Sequence, residues 1–306
     1  MSLELVSSLL FPILGGALRV GAPFLFVSLG ECLTEKSGRI NLGLEGVLVL
    51  SAMAAFAGSY LSGNAWLGVA AGMAAGAALA LLHGLICSLP RVNDIATGIA
   101  LMLLGTGLAF YFGKPLIQPQ AAQLAPIELG GWSDSPAVRA ALQISPLLPL
   151  GVLLALAMGW GLANLRAGLV VRLAGDSADA ARALGYRVAA IRVAATATGG
   201  MIAGMGGACL TLFYPGSWNE GISSGQGLIA VALVIFARWS PLRCVGAALL
   251  FGGAGAIGPA LQSIGIGWGY HLFNALPYLL TLAILIVTCR PGTAAAGSPG
   301  ELLSNR

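Results

Sequence analysis

Charge is what this sequence has least of. Of its 306 residues, 8% are Asp, Glu, Lys or Arg, where soluble domains carry roughly 25%. Lysine occurs twice (Lys36, Lys114) and histidine twice (His83, His271). Hydrophobic residues make up 58%, and mean hydropathy is +0.90. These side chains cannot furnish the polar surface of a water-soluble fold this long. The five cysteines (32, 87, 209, 244, 289) are odd in number and unpaired in spacing, which excludes a disulfide framework or a cysteine-based metal site. No Gly-x-x-x-x-Gly-Lys-Ser/Thr is present, and Lys114 is followed by Pro115, so no loop here cradles nucleotide phosphates. A basic leader is also missing. Glu4 is the first charge, and the first apolar stretch runs on without a cleavage site, so it reads as a span.

What is present is apolar sequence in span-sized runs. A helix needs about 20 mostly apolar residues to cross a bilayer. Charges and turn residues divide the chain into about nine such runs. The first is roughly 6–30, interrupted by Arg19. Two lie between Glu45 and Arg91, split at Ser62-Gly63-Asn64. Then come 94–112, 144–164, 192–214 and 224–238, and two between Cys244 and Cys289, split around 263–274. A Pro- and Gln-rich loop, 113–143, and a basic loop, 165–191, separate some of them. Glycine is abundant, 45 residues, as helices that pack closely in lipid require. Gly72/Gly76 and Gly200/Gly204 have the small-xxx-small spacing. The expected fold is an all-α, polytopic transmembrane bundle. Residues 1–290 would form one transmembrane domain and 291–306 a short cytoplasmic tail.

Cationic side chains in short loops favour the cytoplasm. One side collects Lys36, Arg39, Arg91, Arg166, Arg172, Arg182, Arg187, Arg192, Arg238, Arg243, Arg290 and Arg306; the other collects Lys114 and Arg139. Twelve against two puts the C-terminus inside and, with nine spans, the N-terminus outside, in a cell membrane.

Two polar segments stand out. The first runs from Gly30-Glu31 through Glu35-Lys36, Gly38, Arg39 and Asn41 to Glu45-Gly46. At mid-bilayer each charge would cost about 2.5–3.5 kcal/mol. Two readings stay open: a solvated cytoplasmic turn with Asn41 as a helix cap, or a broken, re-entrant segment lining a polar path. On the second reading, Glu31, Asn41 and Glu45 are the candidate path residues. Asn and Glu side chains hydrogen-bond the hydroxyls of a small polar solute.

The second segment runs from Arg166 through Arg172, Gly175-Asp176, Ser177, Asp179, Ala180-Ala181, Arg182, Leu184-Gly185 and Tyr186 to Arg187. Ser177 can cap a short helix over about 178–184. Asp179 and Arg182 suit its dipole, and Gly185 is a natural stop. So short a helix is marginal alone, which makes it useful when docked on a partner.

In this order, Gly30-Glu31, Glu35-Lys36, Gly38, Asn41-Leu42-Gly43 and Glu45-Gly46, then Gly175-Asp176, Ala180-Ala181 and Gly185, then Gly225-Gln226-Gly227, Ala230, Trp239, Pro241 and Phe251-Gly252, resemble the permease subunits of ATP-binding-cassette importers for branched-chain amino acids, ribose-type sugars and nucleosides. The nucleoside branch is the nearest, and the resemblance covers nearly the whole chain. Departures are Arg39 and Val47, where that family has an apolar residue and Met, and Asp176 and Ala178, where it has Glu and Pro.

The resemblance implies a transporter subunit, not an enzyme. It implies a coupling helix within 172–187 that docks in a separate ATPase, with Arg172, Gly175, Asp176, Ala180, Ala181, Leu184, Gly185 and Tyr186 as the coupling residues. It also implies a second permease chain, identical or different, and an extracytoplasmic solute-binding lipoprotein. The solute would be a small polar molecule, a nucleoside or simple sugar. The chain itself would bind no cofactor or metal; ATP would be hydrolysed by the partner. Lipid surrounds it, and no nucleic acid is expected as a partner.

Two rivals remain. The Glu31/Glu35/Glu45 cluster would serve as a proton site in an ion-coupled carrier acting alone, although such carriers usually show internal repeats and none is clear here. Gly221-Ile222-Ser223-Ser224-Gly225 fits Gly-x-Ser-x-Gly, the mark of a serine nucleophile. An intramembrane protease would also need a base, and only His83 and His271 are available.

Overall fold

A computed structural model describes residues 3–263, 273, 275–288 and 297–304. The chain folds as the all-α bundle expected. Its helices are α1 (Leu3–Lys36), α2 (Leu44–Ser62), α3 (Ala65–Ile86), α4 (Asp94–Gly113), α5 (Pro136–Ala141), α6 (Leu147–Asn164), α7 (Arg166–Asp176), α8 (Ala178–Ala183), α9 (Val188–Leu212), α10 (Gln226–Phe236), α11 (Pro241–Ser263), α12 (Leu276–Thr288) and α13 (Gly300–Ser304). The 113–143 loop holds strand β1 (Ile127–Glu128), which pairs antiparallel with β2 (Gln143–Ile144).

Among the described residues, seven helices are long and apolar enough to cross a membrane: Leu10–Lys36, α2, α3, Asp94–Leu116, α6, α9 and Pro241–Gln262. One of the expected runs takes a different form. The run read as a span over 224–238 forms only the 11-residue α10, about 16 Å long at 1.5 Å per residue and too short to cross alone. The described part of α12 has 13 residues. The expected division around 263–274 falls largely outside the described residues, as do His271, Cys289, Arg290 and Arg306.

Helix α9 is the hub. It packs against α1, α2 and α3 through glycines whose absent side chains admit a neighbouring backbone. A Cβ on Gly200 would sit 2.5 Å from Gly76 O and 2.1 Å from Ala80 Cβ; one on Gly204 would sit 2.4 Å from Gly72 O; one on Gly199 would sit 2.5 Å from Gly30 O. The two glycine pairs read from the sequence thus face each other across one α3–α9 interface, where lipid offers no hydrophobic drive and close backbone packing takes its place.

The α1–α2 connection is a buried break. Helix α1 runs to Lys36, six residues past the expected end. Glu31 and Glu35 are 0% and 3% exposed, so these charges sit inside protein. A boundary drawn from the cost of charge in lipid stops short of them for that reason. At Ser37 the chain is level with Arg192 near the start of α9, whose Nε donates to Ser37 O. Helix α2 runs beside a later part of α9, where a Cβ on Gly207 would lie 2.8 Å from Leu48 O. Extrapolated back to Leu44, α2 starts level with about Ala203, roughly 16 Å further into the bundle at 1.5 Å per residue. The 37–43 segment, with Gly38 at φ 87°, makes that climb. The re-entrant reading fits this path; the solvated turn does not.

Candidate functional site

The break delivers the first turn of α2 to the first turn of α10. Glu45, which follows the first residue of α2, points its carboxylate at the start of α10. Oε1 accepts from Ser223 Oγ at 2.5 Å and Gly225 N at 3.0 Å, and Oε2 accepts from Gly227 N at 2.7 Å. A helix start has unpaired N–H groups and partial positive charge, so a carboxylate there is well placed. Gly227 is required for the approach: a Cβ on it would lie 2.5 Å from Glu45 Cα.

Below this junction the other acids are held by the chain's own groups. Glu31 Oε1 accepts from Asn41 N at 2.8 Å, and Asn41 Oδ1 accepts from Gly43 N at 2.9 Å. Glu35, one turn along α1 from Glu31, accepts from the indole N–H of Trp239. Trp239 stands at φ 52° in the tight α10–α11 turn, next to Arg238 at φ 51°. Arg39, where the resembled family has an apolar residue, is matched by Asp94 at 2.5 Å in the first turn of α4. The three candidate path residues are therefore gathered around one buried break. Glu31 and Asn41 are bonded within it, and Glu45 just past it is bonded to the start of α10.

Ser223 gives its hydroxyl to Glu45, and His83 lies against Ile40 O at 3.2 Å. Neither arrangement makes a serine–histidine pair.

A second site lies at the opposite end of the same break. The 165–191 region, expected as a loop around one short helix, holds two helices. α7 covers Arg166–Asp176 and packs on α6 and α9. It makes a helix because Leu169, Val170 and Leu173 recur at helical spacing. α8 is the expected short helix: Ser177 Oγ accepts from Ala180 N at 3.2 Å, Arg182 pairs with Asp179 at 2.6 Å, and Gly185 ends it at φ 85°. Its inner side, Ala178 and Ala181, is buried. Ala180, Gly185 and Arg187 are exposed, and Leu184 and Tyr186 stand out at 67% and 42% exposure. Asp176 is exposed and Arg172 is half-buried. Gly175 is buried where a Cβ would lie 2.2 Å from Lys36 O, so α7 rests directly on the end of α1.

Three of the cations read as one side of the membrane, Lys36, Arg192 and Arg238, lie close together here. Arg192 reaches Ser37, Lys36 Nζ donates to Gly297 O at 3.0 Å, and Gly297 lies against Arg238 O. Sequence reasoning missed Trp239, Ser223, Arg192 and Glu301 as partners. Trp239 entered only through the resemblance, Ser223 only through Gly-x-Ser-x-Gly and Arg192 only as a cation; Glu301 gave no signal.

Residues 13–289 match the family described as branched-chain amino acid transport system / permease component. The chain belongs to this permease family. It is similar to a "Putative glucose ABC transporter permease protein" of Haloferax volcanii, at 32% identity over 96% of each chain. It is also similar to a nucleoside ABC transporter permease of Lactococcus lactis (28% identity, 78% of this chain and 80% of that one) and a guanosine ABC transporter permease of Bacillus subtilis (28%, 86% and 88%). The permease is thus a multi-pass membrane component of an ATP-binding-cassette importer, and a transport subunit rather than an enzyme. The departures at Arg39 and Asp176 leave the match intact, because Arg39 has a partner in Asp94 and Asp176 is exposed.

Proposed function

We propose that this permease carries a nucleoside or a simple sugar into the cell, driven by a separate ATPase that docks on α8. The observation that carries the reading is a capped six-residue helix at the basic end of the bundle. It buries its alanines inward and leaves Leu184 and Tyr186 uncovered. An apolar pair in water beside cations is what a partner cleft would cover. The C-terminus and α8 would then be cytoplasmic. ATP is hydrolysed by the partner chain. A second permease chain would complete the pore, and an external solute-binding lipoprotein would supply the solute. Relatives named for nucleoside, guanosine and glucose transport support a neutral, hydroxyl-bearing solute. Glu31, Asn41 and Glu45 are the polar groups it would meet as the break opens. Residues 1–290 act as one domain, and the tail stays on the cytoplasmic side.

The test is uptake of radiolabelled guanosine, adenosine, ribose, glucose and leucine, in cells with and without the chain, before and after ATP depletion. Uptake of a nucleoside or sugar that needs both chain and ATP is the expected result. Uptake that survives ATP depletion and collapses with the proton gradient would replace this reading with the ion-coupled carrier.

A further inference from the structure

Residues 297–304 are not a loose extension. Gly300 lies so close to the end of α7 that a Cβ on it would be 2.4 Å from Asp176 O. The next residue, Glu301, uses both carboxylate oxygens. Oε1 accepts from Ala178 N, the first residue of α8, at 2.8 Å; Oε2 lies 3.3 Å from Arg192 Nη2. Arg192 in turn donates from Nε to Ser37 O at 3.0 Å and from Nη2 to Ala174 O at 2.9 Å. The side chains of the pair are only 11% and 23% exposed. Gly38 closes the group, where a Cβ would meet Arg192 Nη2 at 3.0 Å and Glu301 Cβ at 3.3 Å. Leu302 helps line a cavity with Arg39, Ile40, Asn93 and Asp94.

One carboxylate therefore joins the start of α8 to the guanidinium that holds the lower end of the α1–α2 break. We infer that Glu301 is a positioning residue for transport, a strut that carries displacement of α8 to the Ser37–Gly43 break through Arg192. The inference rests on the docking of an ATPase at α8. Oε1 holds α8 by a 2.8 Å hydrogen bond and Oε2 faces the guanidinium as a 3.3 Å ion pair at low exposure, so one rigid carboxylate spans the two elements. α7 already fixes one side of the break through Gly175. Without Glu301 the ATPase would still seat on α8 and hydrolyse ATP, but α8 would move without taking Ser37 along.

The experiment uses the assembled importer in proteoliposomes, with guanosine and glucose as probes, and measures solute taken up per ATP hydrolysed. Glu301→Gln keeps an acceptor for Ala178 N but loses the ion pair. The expected result is an ATPase rate within two-fold of the unmodified assembly and uptake per ATP reduced at least five-fold. Arg192→Met, which also releases Ser37 O and Ala174 O, should lose at least as much uptake per ATP, and the double variant should be no worse than Arg192→Met alone. An unchanged ratio in Glu301→Gln overturns the strut. Equal losses of uptake and hydrolysis, tracking a fall in melting temperature, also overturn it, since they mark a merely structural contact. If the unmodified assembly moves neither probe in response to ATP, the failure lies with the proposed function beneath it.

Discussion

Glu45 holds Gly227: the carboxylate in the first turn of α2 accepts the Gly227 amide N–H at 2.7 Å, across 182 residues of sequence. Two helices so far apart in the chain begin at the same point inside the bundle. The α1–α2 break exists to bring α2 there, and the short α10 starts there because Glu45 satisfies its open end.

Replacing Glu45 therefore separates its charge from its shape. Glu45→Leu leaves Gly225 N, Gly227 N and Ser223 Oγ without their acceptor, and each unmet buried donor costs about 1–3 kcal/mol. Glu45→Gln keeps one acceptor oxygen and loses the other. Uptake should fall in the order wild type, Gln, Leu, and the melting temperature in detergent should fall in the same order. Unchanged uptake in Glu45→Leu and in Asn41→Leu would remove both from the transport path.

Gly200→Ala tests the α3–α9 contact. The new methyl would overlap Gly76 O and Ala80 Cβ, and overpacking of this kind costs about 1–3 kcal/mol. Gly246→Ala, where a Cβ meets nothing within 4 Å, is the control. A thermal-shift measurement should show a drop for the first and none for the second.

The inner and outer sides of α8 should respond differently. Ala180→Glu and Leu184→Asp change exposed positions, so stability should move by no more than about 0.5 kcal/mol, while uptake and co-purification of the ATPase are lost. Ala181, 0% exposed, cannot take a charge: Ala181→Glu should lower the amount of folded permease itself. Normal uptake by Leu184→Asp would show that the ATPase docks elsewhere.

Cys87 follows the last residue of α3, and burial pushes its thiol up to about 11. The thiolate is the reactive form, so at pH 8 a permease with Cys87 as its only cysteine should react with N-ethylmaleimide roughly two orders of magnitude more slowly than an exposed thiol. Labelling should rise steadily as pH climbs toward 11. Fast labelling at pH 8 in folded protein would mean that the α3–α4 turn opens to water.

The α8 cap, helix and stop were legible because they are local: Ser177, Asp179, Arg182 and Gly185 act within two turns. α7 was hidden because its apolar residues are diluted by Arg166, Arg172 and four small residues, and it needs α6 and α9 to hold it. The end of α1 was set too early for a related reason. A sequence shows that Glu31 and Glu35 cannot face lipid, but it does not show Trp239 and Asn41 waiting inside to meet them.

By itself the sequence determined the solvent, the class of fold, where the cations cluster and the short helix capped by Ser177. These follow from hydropathy, from where arginines fall along the chain and from caps a few residues apart, none of which needs a distant partner. Only the tertiary structure decided that α2 and α10 start together at Glu45, that Gly72/Gly76 and Gly200/Gly204 are one interface, and that Glu301 ties α8 to Arg192. Each depends on residues tens to hundreds of positions apart meeting at hydrogen-bond or van der Waals distance, and only packing around α9 brings them there.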